Sequence, residues 1–299
     1  MTERFPRVAE LNAVFKERFP FFRDSVARGH AEFGDQWAAR FEESLLRMFS
    51  GAGSLHMAAE GYAEFALDAL RLQKVFDRTG TYANRSFAEV AAAIYHDEDY
   101  MERLYLPGIL LSSFLWPHHY KQFLFFEEAF VAPIEATDLR GFYDVGVGTG
   151  FYSRRLVQVS GMRGTGFDIS RHSQAFAQRQ VDAYGGEGRY GVELRDILAD
   201  PPPPSRCLIS VEVLEHLEDP LAYLGALRRM LAGDGARGFI TAAVNAPNAD
   251  HIYLYRHADE VAAHLIGAGF TVERQLSILA YPPMKACVPV PEIAAFVVT

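Results

Sequence analysis

"FYDVGVGTGFYS", residues 142–153, sets Gly146, Gly148 and Gly150 at every second position between a short apolar run and the start of a helical pattern. Glycine at such a junction marks a chain that turns with positive φ or passes close to another group. Strand, glycine-rich turn and helix in succession is the arrangement with which open α/β sheets bind nucleotides, in the crevice beyond the carboxyl ends of the strands. A dinucleotide fingerprint needs glycine at relative positions 1, 3 and 6. The sixth place here is Phe151, whose ring would stand where a pyrophosphate approaches the helix terminus. No Lys-Ser/Thr follows the last glycine, so a Walker loop fails as well.

Downstream of Gly141, short apolar runs alternate with amphipathic stretches. Residues 142–147, 164–169, 190–196, 206–211, 237–244 and 292–299 read as strands. "FYSRRLVQVSG", "SRHSQAFAQRQVDAYG", "PLAYLGALRRMLAGDG" and "ADEVAAHLIGAG" read as helices between them, several closing on a glycine. That rhythm predicts a parallel sheet covered on both faces. Residues 1–136 have another texture, aromatic-rich and helical almost throughout. Met57, Tyr62, Phe65, Ala66, Leu70 and Leu72 recur near the helical period behind Ser54 as N-cap, and Ser86 with Glu89 makes a capping box. Pro107 and Pro117 should end or kink helices. The expected division is a helical cap domain over 1–136 and an α/β domain over 137–299.

The chain has 299 residues, 49% hydrophobic and 22% charged, which fits a globular protein with ample core. Lys plus Arg number 29 against 38 Asp plus Glu, a net charge of −9, which repels a phosphate backbone; nucleic acid is not an expected partner. Cys207 and Cys287 form no CxxC pair, so neither a disulfide framework nor a thiolate metal site is expected. No apolar h-region opens the chain and no window approaches 18 apolar residues, which points to a cytoplasmic protein outside the membrane.

"YDVGVGTG" resembles the first motif of the class I S-adenosylmethionine (SAM) dependent methyltransferases, an acid on strand one followed by G-x-G-x-G. The resemblance implies a Rossmann-like domain with a mostly parallel seven-stranded sheet, here preceded by an α-helical cap domain. Asp144 would be the acid, and Gly146, Gly148 and Gly150 would let the backbone lie against the methionine part of SAM. Asp168, with Ile169 beside it, would take both ribose hydroxyls; otherwise it is a helix N-cap, a role Ser170 also fits. Asp196 and Ile197 would meet the adenine, unless Asp196 is a solvated turn residue. "ISVEVLEHLEDPLAYL", residues 209–224, is similar to the V-L-E-H-L-x-D-P run of small-molecule methyltransferases of the ubiquinone-biosynthesis type and adds Glu212 to the cofactor set.

Methyl transfer needs alignment and exclusion of water, and a base where the acceptor is O–H or N–H. By the same resemblance His216 is a candidate base, and Glu212 or Glu215 could touch substrate or a metal; the alternative is that Glu215 and His216 only anchor their loop. Trp116, His118, His119 and Tyr120 form an aromatic cluster suited to a cap over a sulfonium, with His118, His119 and Tyr120 as further catalytic candidates, or a kinked core helix. His251, Tyr253, Tyr255 and His257 alternate and would share one side of an extended stretch lining an acceptor pocket, with Arg256 meeting an acidic acceptor. No HExxH or comparable pairing occurs, so no metal is expected. The leading reading is a SAM-dependent methyltransferase acting on a small molecule, alone or as a homodimer. The alternatives are a cyclase that closes SAM's own aminobutyrate chain and a SAM-binding protein without turnover.

Overall fold

The computed structural model describes residues 4–283 and 288–299; Cys287 lies outside the described residues, and Cys207 is a buried free thiol. The helical part comprises α1 (Pro6–Arg18), α2 (Ser25–Met48), α3 (Ser54–Thr79), α4 (Phe87–Val90), α5 (Leu106–Leu115), α6 (Pro117–Phe125) and α7 (Ala132–Glu135). π-helical turns at Ala91–Tyr95, Tyr100–Tyr105 and Phe126–Val131 join several of these. Pro107 sits in the first turn of α5, directly behind the π-helical turn with Tyr105 still helical (φ −68°, ψ −59°), so the helical path changes type there without a break, whereas the chain breaks at extended Trp116 (φ −99°, ψ 113°) and Pro117 opens α6. Ser86 caps α4 by accepting the Glu89 N–H. Ser54 does not cap α3: it is the first helical residue behind Gly53, and its hydroxyl donates to the Gly51 carbonyl at 2.7 Å.

Then β1 (Gly141–Val145), α8 (Phe151–Ser160), β2 (Arg163–Asp168), α9 (Arg171–Ala183), β3 (Tyr190–Leu194), β4 (Cys207–Ser210), α10 (Pro220–Met230), β5 (Arg237–Val244), α11 (Ala258–Gly267), β6 (Val272–Leu279) and β7 (Glu292–Val298) follow. They make one seven-stranded sheet in the order β3-β2-β1-β4-β5-β7-β6. Neighbours among β1 to β5 pair parallel, while β7 runs antiparallel to both β5 and β6. This is the Rossmann-like methyltransferase architecture with a helical region ahead of it. The chain direction across the sheet reverses between β1 and β4, and that switch point is where an open α/β sheet holds its ligand. The sequence reading missed β6: its side chains alternate between exposed and half-buried at the sheet edge, so it lacks the apolar run that marks a central strand.

Period-2 alternation sends successive strand residues to opposite faces. Leu208, Ile240 and Phe296 pack with α10 and α11, whereas Ile209, Phe239 and Ala295 join a core that runs unbroken into the helical part. Phe126 and Phe130 meet Phe239 of β5 at ring centroids 5.0 and 5.8 Å apart, and Phe126 meets Tyr152 of α8 at 5.0 Å. The α5–α7 stretch is thereby fixed against the sheet by buried aromatic area, each ring worth several kcal/mol, roughly 3–5 on truncation.

Candidate functional site

All three glycines of the β1–α8 turn have positive φ, 74° at Gly146, 52° at Gly148 and 75° at Gly150, so the turn requires glycine before any ligand is considered. Their surroundings differ. A Cβ on Gly146 would stand 2.5 Å from Val213 Cγ2, and one on Gly150 would stand 3.1 Å from Ala177 on α9. A Cβ on Gly148 would meet nothing within 4 Å. Gly146 and Gly148 line a cavity of about 1800 Å³ and Gly150 does not. Gly150 instead caps α8 and lets α8 and α9 approach.

The acids expected from the sequence take distinct places around this turn. Asp144 is buried, accepts the Ser153 hydroxyl at 2.6 Å, and is pushed by burial up to about 7. Asp168, at the end of β2, accepts the Gly148 N–H at 3.0 Å on one oxygen and the Ser170 N–H at 2.8 Å on the other. Burial raises its pKa and these backbone donors oppose the rise. Ser170, not Asp168, caps α9 through the Ser173 N–H. Asp168 therefore holds the glycine turn in place and keeps lone pairs for two further donors. Asp196 is exposed and accepts the Leu198 N–H at 2.9 Å, Ile197 beside it is buried, Ile169 is exposed, and all three line the cavity.

Glu212 follows β4 with φ 53°, a left-handed conformation that its side chain offsets locally. Its backbone N–H donates to Thr241 Oγ1 at 2.9 Å while the Thr241 hydroxyl donates to Glu212 Oε1 at 2.7 Å, and Gln122 of α6 donates to the same Oγ1 at 3.1 Å. Burial first, then the charge of Glu215, lifts the Glu212 carboxyl to about 8.

The far wall of the cavity comes from the helical part. Phe65, Trp116 and His118 stack in series, with interplanar angles of 23° and 15°. His118 and His119 both face the cavity, which the helix break at Trp116 permits although they are adjacent. Burial drives the His118 pKa well down and that of His119 to about 4, so both rings are neutral; His118 Nδ1 has no hydrogen-bond partner. Tyr120 is not brought to the cavity. It lies in the core among Phe33, Phe114 and Phe123, because two residues beyond His118 the side chain has turned about 200° around α6, to the face away from the cavity.

A polar cluster drawn from segments far apart in the chain closes the other end. Fully buried Asp250 accepts hydroxyl hydrogens from Tyr95, at 3.0 Å, and from Tyr105, and its Oδ2 lies 3.2 Å from His216 Nδ1. Burial alone would lower the His216 pKa, but the Asp250 carboxylate overrides it and holds the ring charged, up to about 10. The partner effect on Asp250 is downward, below the ordinary carboxylate range. His216 is thus a cation in this state and not a free base. His251 packs edge-on against it, ring centroids 4.8 Å apart, and burial lowers the His251 pKa to about 3. The expected alternation of His251, Tyr253, Tyr255 and His257 on one side fails. Only His251 of the four lines the cavity; the Tyr255 hydroxyl pairs with His264 Nδ1 at 3.0 Å, and Arg256 donates to the Gly80 carbonyl at 3.1 Å. The stretch is not a regular strand: bends at Tyr253 and His257 interrupt it, which breaks the period of 2.

Residues 142–235 match the family model described as a methyltransferase domain. The chain is similar in fold to phosphoethanolamine N-methyltransferase 2 of Haemonchus contortus solved with S-adenosyl-L-methionine, at 14% identity and TM-score 0.50, covering 73% of this chain and 60% of that one. N-methyltransferase NodS of Bradyrhizobium japonicum WM9 with S-adenosyl-L-homocysteine aligns at 14% identity and TM-score 0.48, over 71% and 98%. The [4+2]-cyclase SpnF aligns at 15% identity and TM-score 0.47, over 57% and 79%. No curated protein matches the chain in sequence. No helix among the described residues is long and apolar enough to cross a membrane.

Proposed function

We propose that the chain is a SAM-dependent methyltransferase acting on a small-molecule acceptor, with the helices up to residue 136 serving as the cap that encloses and selects it. The observation that carries this reading is the open space above Gly148, where a Cβ would meet nothing within 4 Å, beside an Asp168 carboxylate with lone pairs to spare and inside a cavity that continues to the Trp116 wall. At about 1800 Å³ the cavity exceeds the roughly 300–1,000 Å³ of a single-ligand pocket, so donor and acceptor fit together.

Bound SAM supplies an electrophilic methyl group on sulfonium, which an acceptor lone pair takes in line as the carbon–sulfur electron pair returns to sulfur. The chain's own residues bind, orient and exclude water. Asp168 takes the ribose hydroxyls as a carboxylate, and its bond to the Gly148 N–H sets the height of the turn on which the ligand's main-chain contacts depend. Ile197 and exposed Ile169 offer apolar faces to an adenine ring. The Phe65–Trp116–His118 stack presents π faces to a sulfonium and keeps water away. Since His216 is held charged, the neutral rings of His118 and His119, beside the Trp116 wall, and of His251 at the other end are the histidines with a lone pair to receive an acceptor's proton.

The test is product analysis on the full chain. Incubation with SAM and a panel of phenolic, amine and carboxylate acceptors should release S-adenosylhomocysteine only when an acceptor is present. Methylthioadenosine formed from SAM alone would instead establish cyclisation, and tight SAM binding without any product across the panel would establish a binding protein.

A further inference from the structure

Where the loop after β4 meets the loop after β5, Glu215, His216 and His251 each offer a ligand atom within 4.8 Å of the others. We propose that these three side chains form a binding site for a divalent transition-metal ion of the Zn²⁺, Co²⁺ or Mn²⁺ type, on the wall of the cavity.

The first support is Glu215 itself. Its side chain is fully buried and neither carboxyl oxygen has a hydrogen-bond partner. A buried carboxylate without donors is a costly arrangement that a cation relieves. Glu212 and Asp250 stand close enough to act on the same group or its neighbours, so the region holds more carboxyl groups than cations.

The second support is the way both rings are held. A metal-bound histidine characteristically donates its other ring N–H to a carboxylate or a carbonyl. His216 has Nδ1 against Asp250 Oδ2 at 3.2 Å, and His251 has Nδ1 against the Ala246 carbonyl at 2.5 Å. Each ring therefore keeps its Nε2 for a further partner. Tyr95 and Tyr105 fix Asp250 from the helical part. The Glu215 carbonyl accepts the Ile252 and Tyr253 N–H groups at 2.7 and 2.9 Å, which ties the Glu215 loop to the His251 loop.

Two imidazoles and one carboxylate suit borderline transition ions better than Mg²⁺, which prefers oxygen donors and retained water. A tetrahedral ion would bring its ligand atoms to roughly 3.4 Å apart, a closure of up to about 1.4 Å from the present spread of 4.8 Å. All three residues line the cavity, so the remaining coordination positions open toward it. An ion there would bind an acceptor oxygen and lower its pKa. The site stands on these side chains alone and does not depend on the SAM reading.

The experiment is titration of the chelator-treated full chain with Co²⁺ and Zn²⁺, read by visible absorption and calorimetry. One Co²⁺ per chain with a ligand-field band, displaced by Zn²⁺, is expected. Glu215→Gln and His251→Ala should each weaken Zn²⁺ at least about 100-fold, and Asp250→Asn about 10–100-fold, with near-UV circular dichroism retained. His119→Ala, outside the cluster, should leave the affinity unchanged. Absence of a Co²⁺ band, full affinity in folded Glu215→Gln and His251→Ala, or Mg²⁺ binding that Zn²⁺ does not displace overturns the proposal. If both variants fail to fold, the wild-type Co²⁺ titration decides alone.

Discussion

Gly148→Ala separates the two reasons a glycine can occupy the β1–α8 turn. At φ 52° an alanine costs about 1–2 kcal/mol of backbone strain, and because its Cβ meets nothing within 4 Å, no clash adds to it. That should lower the melting temperature by about 2–4 °C for each kcal/mol, leaving the protein folded at 25 °C. The new methyl group projects into the space assigned to the adenosyl ligand, so S-adenosylhomocysteine affinity should fall at least tenfold, or about 1.4 kcal/mol. Gly146→Ala meets Val213 Cγ2 at 2.5 Å and Gly150→Ala meets Ala177 at 3.1 Å, so both should lose more stability than Gly148→Ala. Calorimetry and thermal melts on the three variants read both quantities. Wild-type affinity in Gly148→Ala, with the stability loss as expected, would show that no ligand passes over that backbone.

Asp168→Ala removes the acceptor proposed for the ribose hydroxyls and should weaken SAM by roughly 1.5–3 kcal/mol by calorimetry; unchanged affinity would reassign Asp168 to a purely structural role. Asp144 is raised from 3.8 to about 7, so its folded state keeps the proton that the unfolded state releases. The contribution is absent below about pH 4, destabilises progressively as pH rises to about 7, and amounts to about 4 kcal/mol there. Asp144→Asn should flatten that slope in urea midpoints measured from pH 4 to 8, and parallel profiles for the two proteins would contradict it. Tyr120→Phe should leave turnover within about twofold, since the ring faces Phe33, Phe114 and Phe123 and not the cavity; a large kcat loss would place it at the site. Phe126→Ala should cost about 3–5 kcal/mol and keep one unfolding transition, because the core it joins runs from the helices into the sheet.

What the sequence made legible was local. The glycine turn, the strand rhythm and the caps at Ser86 and Ser170 each depend on a few adjacent residues, and the structure forms them where the pattern lies. Edge strand β6 escaped because half its side chains face solvent and its apolar pattern is correspondingly thin. The roles of the glycines were only partly legible: positive φ is common to all three, but which of them faces open space depends on Val213 and Ala177, contributed by other elements. Reading Tyr120 together with His118 and His119 treated sequence neighbours as spatial neighbours, and helical rotation separates them. The Asp250 cluster could not be read at all, since Tyr95 and Tyr105 reach it from 155 and 145 residues away and neither they nor Asp250 carry a motif.

The most direct measurement is a crystal structure of the full chain with S-adenosylhomocysteine. The ribose hydroxyls are expected on the Asp168 carboxylate within hydrogen-bond distance, the amino-acid end against the turn at Gly148, and the sulfur facing the Trp116 wall. A ligand seated elsewhere, or an Asp168 carboxylate engaged only by the Gly148 and Ser170 N–H groups with ligand bound, would contradict that placement.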